Sequence, residues 1–595
     1  MSIATSNLTS GFIDLATYDE QEKYTYGGSE SIAYFVREVR KSTWFTQVPV
    51  VLSKSSGQSG FGQQWSVSIS RAGDYLLHTW LRVVLPAVTA AATNTATLAS
   101  TTANISVLRW TRNLMHNLIQ ECSITFNDLV AARFDNFHLD FWSSFTVPSG
   151  KRNGYNVMIG NVNQLINPVA ANPLILVGKG GVQTTTSGTG TQSAQVLPSQ
   201  VLNLPLPFFF TRDSGIALPT AALPYNEMRI NFSFRNWTDL LIKDSWVANP
   251  NYGGSVSPAA IPPVAFTGLD GTDFLDGSSP EGSNGCWVSN PATSNDIAGN
   301  NTPDISNSCQ VWANYAIVSN EERKKMACAP RDILIEQVQT APLQSFNNSN
   351  TVSNGSNALM GVQSGTQITP QFDIRFSHAV KVLFWAARNK ANYAAWSNYT
   401  SDPQFPLGPH QSGNIGAAPG NPLFGVVDFT AGSDPVDNTS LIYENTQRLQ
   451  NMGSDYFSLV NPWFHSPVIP LETGYHSYSY SLDYYNIDPM GSTNYGKLTN
   501  VSIVPFSSAA QNNSWYFNAA SLPALGVPSV AINVNAIATK YDFITTCVNN
   551  NIIRISGGAL GLKNWKPKIG SCRKRYNSSF SGKQYKNCTL FTRVM

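Results

Sequence analysis

Residues 228 to 234 read Met228-Arg229-Ile230-Asn231-Phe232-Ser233-Phe234. Every second side chain in this stretch is apolar, and the side chains between them are polar. Successive side chains of a β-strand point to opposite faces of its sheet, so a period of two predicts a strand with one buried face. The stretch therefore favours a β-sheet that covers a hydrophobic core on one side.

The same alternation recurs in both directions along the chain. Its apolar positions are Trp65, Val67 and Ile69; Cys122, Ile124 and Phe126; Phe372, Ile374 and Phe376; and Tyr478, Tyr480, Leu482 and Tyr484. In the last set, Ser477, Ser479 and Ser481 are assigned to the polar face. Helical patterns are scarce, and the best are residues 136–145, 320–326 and 536–548. We therefore predict an all-β protein with short helices in its connections.

Two strand-rich blocks, at residues 30–318 and 331–562, are joined by a linker at 319–330. Each block suits a sandwich of about eight strands. A faint echo indicates duplication, because Ser70-Arg71-Ala72 and Ser377-His378-Ala379 each lie between two apolar strands. Segments rich in Gly, Ser, Thr, Asn and Pro are predicted to be surface loops, at residues 87–102, 180–193, 249–307, 347–365 and 401–437.

The 595-residue chain is 42% hydrophobic, which is enough for large cores, but only 12% charged. A typical soluble domain is roughly 25% charged. A polar surface with few charges suits broad contact with other proteins, because burying a hydroxyl or amide costs less than burying a charge. Composition alone fits a secreted β-rich protein equally well. The net charge of +2 conceals a basic end, since residues 563–595 hold nine Lys or Arg and no acid, leaving 29 − 36 = −7 for the rest.

Seven scattered cysteines argue against a disulfide scaffold and favour a reducing compartment. Cys286 and Cys309 share a predicted loop, and a bond between them is the less favoured alternative. The chain contains no C-x-x-C, G-x-x-x-x-G-K-[ST], H-E-x-x-H or G-x-S-x-G pattern. It has neither the pattern of a signal peptide at its start nor an apolar run of about 18 residues. We therefore predict no catalytic, cofactor-binding or metal-binding residue, no cofactor and no membrane span.

The run Leu204-Pro205-Leu206-Pro207-Phe208-Phe209-Phe210-Thr211-Arg212-Asp213-Ser214-Gly215 is the most distinctive in the chain. With it, further segments appear in a fixed order: 11–18, 34–39, 70–75, 109–117, 139–142, 320–323, 333–337 and 553–558. Together they resemble the major capsid proteins of nucleocytoplasmic large DNA viruses, most closely the iridovirus and marseillevirus type. The resemblance spans about residues 11–562.

The resemblance implies a double jelly roll, which is two eight-stranded antiparallel β-sandwiches in tandem. It implies an N-terminal arm at 1–29, a first jelly roll at 30–318 with an insertion at about 237–307, a linker at 319–330, a second jelly roll at 331–562 and a basic tail at 563–595. Three chains would form a pseudo-hexagonal capsomer in the outer shell of the virion, which would be assembled in the host cytoplasm.

The partners implied are neighbouring capsomers and, beneath the shell, minor capsid proteins. The basic tail suits contact with an internal membrane or acidic partners, with a merely solvated tail as the alternative, and no specific nucleic-acid recognition is expected. On the family's strand order, loops 87–102 and 237–307 meet at one end of the first sandwich, on the virion exterior.

The same residues allow local predictions. Phe208 to Phe210 are expected to pack in a core, and Pro205 and Pro207 to interrupt the hydrogen-bond ladder. For Arg109, Arg112, Arg212 and Asp213 we favour solvated surface charges over ion pairs. The alternative function is a secreted carbohydrate-binding β-sandwich or glycosidase, because aromatic-rich strands with polar loops also suit sugar stacking.

Overall fold

The computed structural model describes residues 3–37, 39, 41–90, 104–171, 196–247, 287–294, 297, 302–328, 330–346, 370–390, 394–402, 404, 426–430, 432–508, 541–556 and 559–562. The predicted loops 180–193 and 347–365 and the basic tail lie outside these residues, as do most of loops 87–102, 249–307 and 401–437.

The first half of the chain forms a sandwich of two antiparallel sheets. Its strands are β1 Phe45–Val51, β2 Ser53–Ser56, β3 Gln64–Ser68, β4 Tyr75–Leu85, β5 Val88–Thr89, β6 Asn104–Trp110, β7 Ile119–Phe126, β8 Leu129–Asp135, β9 Val196–Leu197, β10 Gln200–Pro205, β11 Leu218–Pro219, β12 Met228–Phe234, β13 Leu241–Val247, β14 Trp287–Pro291 and β15 Gln310–Val318. Sheet I has the order β1-β15-β4-β10, and sheet II has the order β2-β3-β12-β7-β8. The two strands β5-β9 and the three strands β14-β13-β6 form separate small sheets.

The second half repeats this architecture. Its strands are β16 Arg331–Thr340, β17 Gln344–Ser345, β18 Phe372–Asp373, β19 Ala379–Asn389, β20 Val436–Tyr443, β21 Thr446–Gly453, β22 His476–Ser479, β23 Thr493–Asn494, β24 Val501–Ser507, β25 Tyr541–Ser556 and β26 Ala559–Leu562. Sheet III has the order β16-β25-β19-β22, and sheet IV has the order β18-β24-β20-β21.

The two halves have one strand order. Each half has eight principal strands, which are numbered 1 to 8 along the chain: β1, β3, β4, β7, β8, β10, β12 and β15 in the first half, and β16, β18, β19, β20, β21, β22, β24 and β25 in the second. Both halves pair these strands as 1-8-3-6 in one sheet and 2-7-4-5 in the other. This is the jelly-roll order, in which strands distant in sequence are neighbours in space. The predicted double jelly roll and its internal duplication are therefore present, and the echo at Ser70 and Ser377 falls between strands 2 and 3 of each half.

The alternating residues of the first sandwich form its core as predicted. Met228, Ile230, Phe232 and Phe234 of β12 are all buried, and the ring of Phe232 stacks on Trp65 of β3 at 4.8 Å between centroids. Phe208, Phe209 and Phe210 are buried in the same core, which confirms their packing role.

Helices lie in the connections and the arm: α1 Ile3–Ala16, α2 Glu20–Thr25, α3 Leu114–Leu118, α4 Asn136–Thr146, α5 Ser149–Ile159, α6 Asn163–Ile166, α7 Pro168–Ala171, α8 Asn320–Cys328 and α9 Asn461–His465. A π-helical turn, Tyr456–Val460, directly precedes α9. The helices predicted at 136–145 and 320–326 are confirmed as α4 and α8. No helix in the described parts of the chain is long and apolar enough to cross a membrane.

One prediction made from periodicity is wrong, and a second is wrong in part. The described part of the helix predicted at 536–548, residues 541–548, is instead the start of the strand β25. In the stretch 477–484, Ser477, Ser479 and Ser481 are buried and Leu482 is exposed, against the expected faces, whereas Tyr484 is buried as expected. Both stretches belong to or follow strands of sheet III, which has protein on both faces. A strand buried on both sides loses its period of two.

Candidate functional site

The two jelly rolls meet where helix α4 of the first covers the outer face of sheet III of the second. The helix begins directly after β8, and the carboxylate of Asp135 caps it by accepting a hydrogen bond from the His138 N–H at 2.8 Å. Phe137, Phe141 and Phe145 recur at every fourth residue and so lie on one face of the helix. This face points away from the first core and towards the second jelly roll.

The phenylalanines of α4 pack in a third hydrophobic core between the two sandwiches. On the side of sheet III, its buried residues are Val382, Phe384, Ala386, Ile544 and Val548. Phe384 stacks with Phe145 at 5.2 Å and with Phe141 at 6.0 Å between ring centroids. Burial of this apolar face favours a fixed, side-by-side arrangement of the two jelly rolls.

Strand β25 also ties the halves together. Its 16 residues contribute Phe543 and Cys547 to the core of the second jelly roll. Further along, Ile553 and Ile555 enter the core of the first jelly roll together with Ile335 of β16. One strand therefore belongs to two cores, which makes independent movement of the sandwiches costly.

Asp140 of α4 is the polar centre of the junction and is fully buried. Its Oδ1 accepts hydrogen bonds from His116 Nδ1 at 2.7 Å and Asn113 Nδ2 at 3.1 Å. Its Oδ2 accepts from Ser397 Oγ at 2.7 Å and Tyr399 Oη at 2.9 Å, both in the second jelly roll. The carboxylate thus binds two donors from each half, and burial together with Asp140 raises the pKa of Tyr399 so that its hydroxyl stays a donor.

Glu336 is the centre of a second polar cluster at the junction, a buried charge chain. Its Oε1 accepts from Lys381 Nζ at 2.6 Å, and its Oε2 pairs with Arg212 of the first jelly roll. The guanidinium of Arg212 lies 4.5 Å from the ring centroid of Trp142 and 4.8 Å from that of Tyr485, and these two rings stack on each other. Lys381 is fully buried, so its charge requires this partner.

The neighbouring imidazole, His138, is uncharged at neutral pH. Burial, with a smaller contribution from Arg212, lowers its pKa to about 3. Glu336 already faces two cations, Arg212 and Lys381, so a neutral ring at His138 avoids a third positive charge at the junction.

Loops of the two halves extend the junction. The side chain of Asn167 forms two hydrogen bonds with the backbone of Val427, at 2.8 and 3.2 Å. The indole of Trp396 donates to the Asp239 carbonyl at 2.8 Å, and its ring lies under the guanidinium groups of Arg235 and Arg388. These contacts fix the long connections of one half to those of the other.

The prediction of solvated charges is wrong for three of its four residues. Arg109 is buried and paired with Asp244 on the neighbouring strand β13, and Arg112 is buried and paired with Glu472 across the junction. Arg212 is paired as described above. Only Asp213 is exposed as expected. The partners lie more than 100 residues away in sequence, so no local pattern revealed them.

The flanks of the two predicted outer loops meet at one end of the first sandwich. Strand β6 follows loop 87–102, and it pairs with β13 of the insertion 237–307, which in turn pairs with β14. Ala90 also forms a bridge with Ile297. At the opposite end, Arg71 donates to the carbonyls of Leu223, Pro224 and Asn226, and so fixes the turn before β12.

Cys122, Cys309 and Cys547 are buried free thiols. Burial raises the pKa of Cys309 to about 12, and Cys286 lies outside the described residues. Within the described ranges, no three His, Cys, Asp or Glu side chains come together as a metal site would require.

The fold and its junction define the class of double jelly-roll proteins, and solved structures share it. The PBCV-1 virus capsid protein aligns with a TM-score of 0.56 at 19% identity, covering 90% of this chain and 100% of that one. The Faustovirus major capsid protein aligns with a TM-score of 0.52 at 12% identity, covering 89% and 93%. At these identities the likeness concerns the fold alone.

Sequence comparison then gives the family. The profile described as "Large eukaryotic DNA virus major capsid protein" matches residues 322–561, and "Major capsid protein N-terminus" matches residues 33–265. The chain is 51% identical to the major capsid protein of Wiseana iridescent virus, over 94% of each chain. It is 40% identical to that of Lymphocystis disease virus 1, over 94% of this chain and 99% of the relative. The chain therefore belongs to the major capsid proteins of large eukaryotic DNA viruses, and these findings do not favour the carbohydrate-binding or glycosidase alternative.

Proposed function

We propose that three copies of this capsid protein form a pseudo-hexagonal homotrimeric capsomer that tiles the icosahedral shell of a double-stranded DNA virus. The observation that carries the proposal is the pair of jelly rolls with one strand order, held side by side by α4. Three such chains around an axis present six similar flanks. A block with six similar flanks can make repeated contacts across a shell facet.

The role is structural, without enzymatic activity. The proposed units are the arm 1–29, the jelly rolls 30–318 and 331–562, the linker 319–330 and the tail 563–595. The linker is supported by its helix α8, where Arg323 forms a bidentate ion pair with Asp74 of the first jelly roll, at 2.7 and 2.8 Å. Loops 87–102 and 237–307 lie on the virion exterior in this arrangement.

The arm contacts minor capsid proteins or neighbouring capsomers beneath the shell. In support, helix α1 exposes Leu8, Phe12, Ile13 and Leu15, and such apolar side chains are typically covered by a partner. The tail, with nine basic residues, contacts the internal membrane or acidic partners. Assembly takes place in the host cytoplasm, and the protein does not recognise a specific nucleic-acid sequence.

The test is the assembly state of the purified full-length chain. Light scattering after gel filtration should give three times the mass of one chain, and negative-stain images should show pseudo-hexagonal particles. A stable monomer that binds glycans would refute the proposal. Deletion of residues 1–25 should leave trimers intact and impair shell assembly, so normal shells from this variant would refute the role of the arm.

A further inference from the structure

The internal duplication leaves one copy of the junction incomplete. Within the chain, the first jelly roll presents a helix and strand β8 to the second jelly roll. The second jelly roll has an equivalent helix and an equivalent strand, β21, on the side away from the first jelly roll. Among the described residues, nothing covers either of them. The first jelly roll likewise has an outer sheet face that nothing among the described residues covers as α4 covers sheet III.

The uncovered helix is residues 454–465, called here the 454–465 helix, which comprises the π-helical turn and α9. It begins directly after β21, just as α4 begins directly after β8. Four residues past the strand end, Leu139 of α4 and Phe457 each point into the core of their own jelly roll. The two helices are therefore equivalent in position and in orientation.

The exposed face of the 454–465 helix is apolar. Six and ten residues past the strand end, α4 places Phe141 and Phe145, both 0% exposed, against sheet III. The same positions in the second helix are Leu459 and Trp463, which are 52% and 70% exposed. Val460 and Phe464 beside them are also exposed. A surface-exposed Trp and Phe side by side, with two aliphatic residues one turn before them, are typical of an interface core.

A matching face exists on sheet I of the first jelly roll. Sheet III is buried on its outer face, whereas the outer row of sheet I is partly open and consists of Val51, Trp312, Trp80 and Pro205 on four paired strands. The rings of Trp80 and Trp312 stack at 6.1 Å between centroids, with 10° between their planes. They form a flat aromatic platform at the position where sheet III receives the rings of α4.

A second contact of the junction also lacks its counterpart. Within the chain, β16 lies against β8, and Gln337 Nε2 donates to the Ala131 carbonyl at 2.6 Å. The equivalent strands are β1, the first strand of the first jelly roll, and β21, the fifth strand of the second. Both are largely exposed.

We propose that the 454–465 helix and β21 of one copy dock against β1 and the Trp80–Trp312 platform of a second copy, which repeats between chains the junction that α4 forms within one chain. The partner is another copy of this chain, because the chain itself carries both matching surfaces: the 454–465 helix with β21 on the second jelly roll, and the outer face of sheet I with β1 on the first. Charge agrees, since Asp455 on the helix would meet a face that carries His78 and Arg82. The inference rests on the proposed trimer, and it specifies the surfaces that close it.

This interface joins two different surfaces, so it is heterologous, and it forms a ring only where the rotation between copies closes, which the proposed trimer requires after three copies. Trp463 should be its energetic centre, because buried Trp residues dominate many interfaces. We expect Trp463→Asp to raise the dissociation constant of the trimer at least 100-fold. Val51→Asp changes the sheet I surface that the helix would contact, and it should also raise the dissociation constant. Tyr225→Asp, an exposed aromatic in the turn before β12 at the other end of the sandwich, is the matched control and should leave the trimer unchanged.

The experiment measures mass by sedimentation velocity for the full-length wild type and the three variants. It also uses a full-length chain with a photo-crosslinking phenylalanine at position 464, which removes no core contact. Crosslinks from 464 to peptides containing residues 45–51, 75–85 or 310–318 of a second copy would support the proposal. A trimer that persists in Trp463→Asp and crosslinks elsewhere would overturn it and leave the trimer standing. Crosslinking only after minor capsid proteins are added would overturn it as well, and a monomeric wild type would refute the trimer itself.

Discussion

Replacement of Asp140 by alanine tests whether the buried carboxylate holds the two jelly rolls together. The side chain is fully buried and accepts four hydrogen bonds, from Asn113, His116, Ser397 and Tyr399. Two of these donors belong to each jelly roll. Alanine removes the only acceptor group that all four share, and it leaves them in a site from which water is excluded.

The expected loss follows from these contacts. A hydrogen bond to a charged group contributes about 1.5–3 kcal/mol, but four bonds to one carboxylate are not additive. Removing one member of a buried charged network costs about 3–5 kcal/mol, which we take as the expected fall in the free energy of unfolding. Tyr399→Phe removes one bond and keeps the ring, so it should cost about 1.5–3 kcal/mol. Asp213→Ala, at an exposed carboxylate, should change stability by less than about 0.5 kcal/mol.

The assay is urea unfolding of the isolated chain, followed by tryptophan fluorescence. Limited proteolysis under native conditions complements it, because a weakened junction should expose the linker 319–330 to cleavage. The reasoning fails if Asp140→Ala unfolds within about 1 kcal/mol of the wild type, as the Asp213→Ala control should.

Three further predictions concern the same region. Phe141→Ala should lower the free energy of unfolding by about 3–5 kcal/mol, because the ring is fully buried against Phe384, and thermal denaturation would show it. Gly474→Ala should cost about 3 kcal/mol or more, because φ is +94° and a methyl group would overlap the Tyr399 carbonyl; Gly150→Ala, in open space on α5, is the neutral control. Burial raises the pKa of Asp402 to about 6. The unfolded chain therefore loses this proton at a lower pH than the folded chain does, and the free energy of unfolding falls as pH rises from about 4 to 6. Asp402→Asn should therefore gain about 1–3 kcal/mol over wild type at pH 8 and much less at pH 4, and equal melting-temperature differences at both pH values would contradict this.

The resemblance of the run 204–215 and its companions to capsid proteins was sufficient for fold and family, and both are confirmed. The stripe Phe137, Phe141 and Phe145 was readable as one face of a helix, although its target was not. Asp140 and Glu336 fall within the family-like segments 139–142 and 333–337, but these segments did not reveal their role at the junction, because their hydrogen-bond donors are distant in sequence.

By itself, the sequence determined the strands with one buried face, such as β12, and the division into two similar blocks. The alternation of apolar and polar residues along a strand shows which side chains are buried when one face of the sheet meets water. Only the tertiary structure decided which side chains are buried or paired where protein covers both faces of a sheet. There, β25 takes the pattern of a helix, Ser477 is buried, and Arg112 and Arg212, which were expected in solvent, pair with acids of the other jelly roll. The reason is that the second face is supplied by the other jelly roll, whose position depends on long-range packing rather than on the order of neighbouring residues.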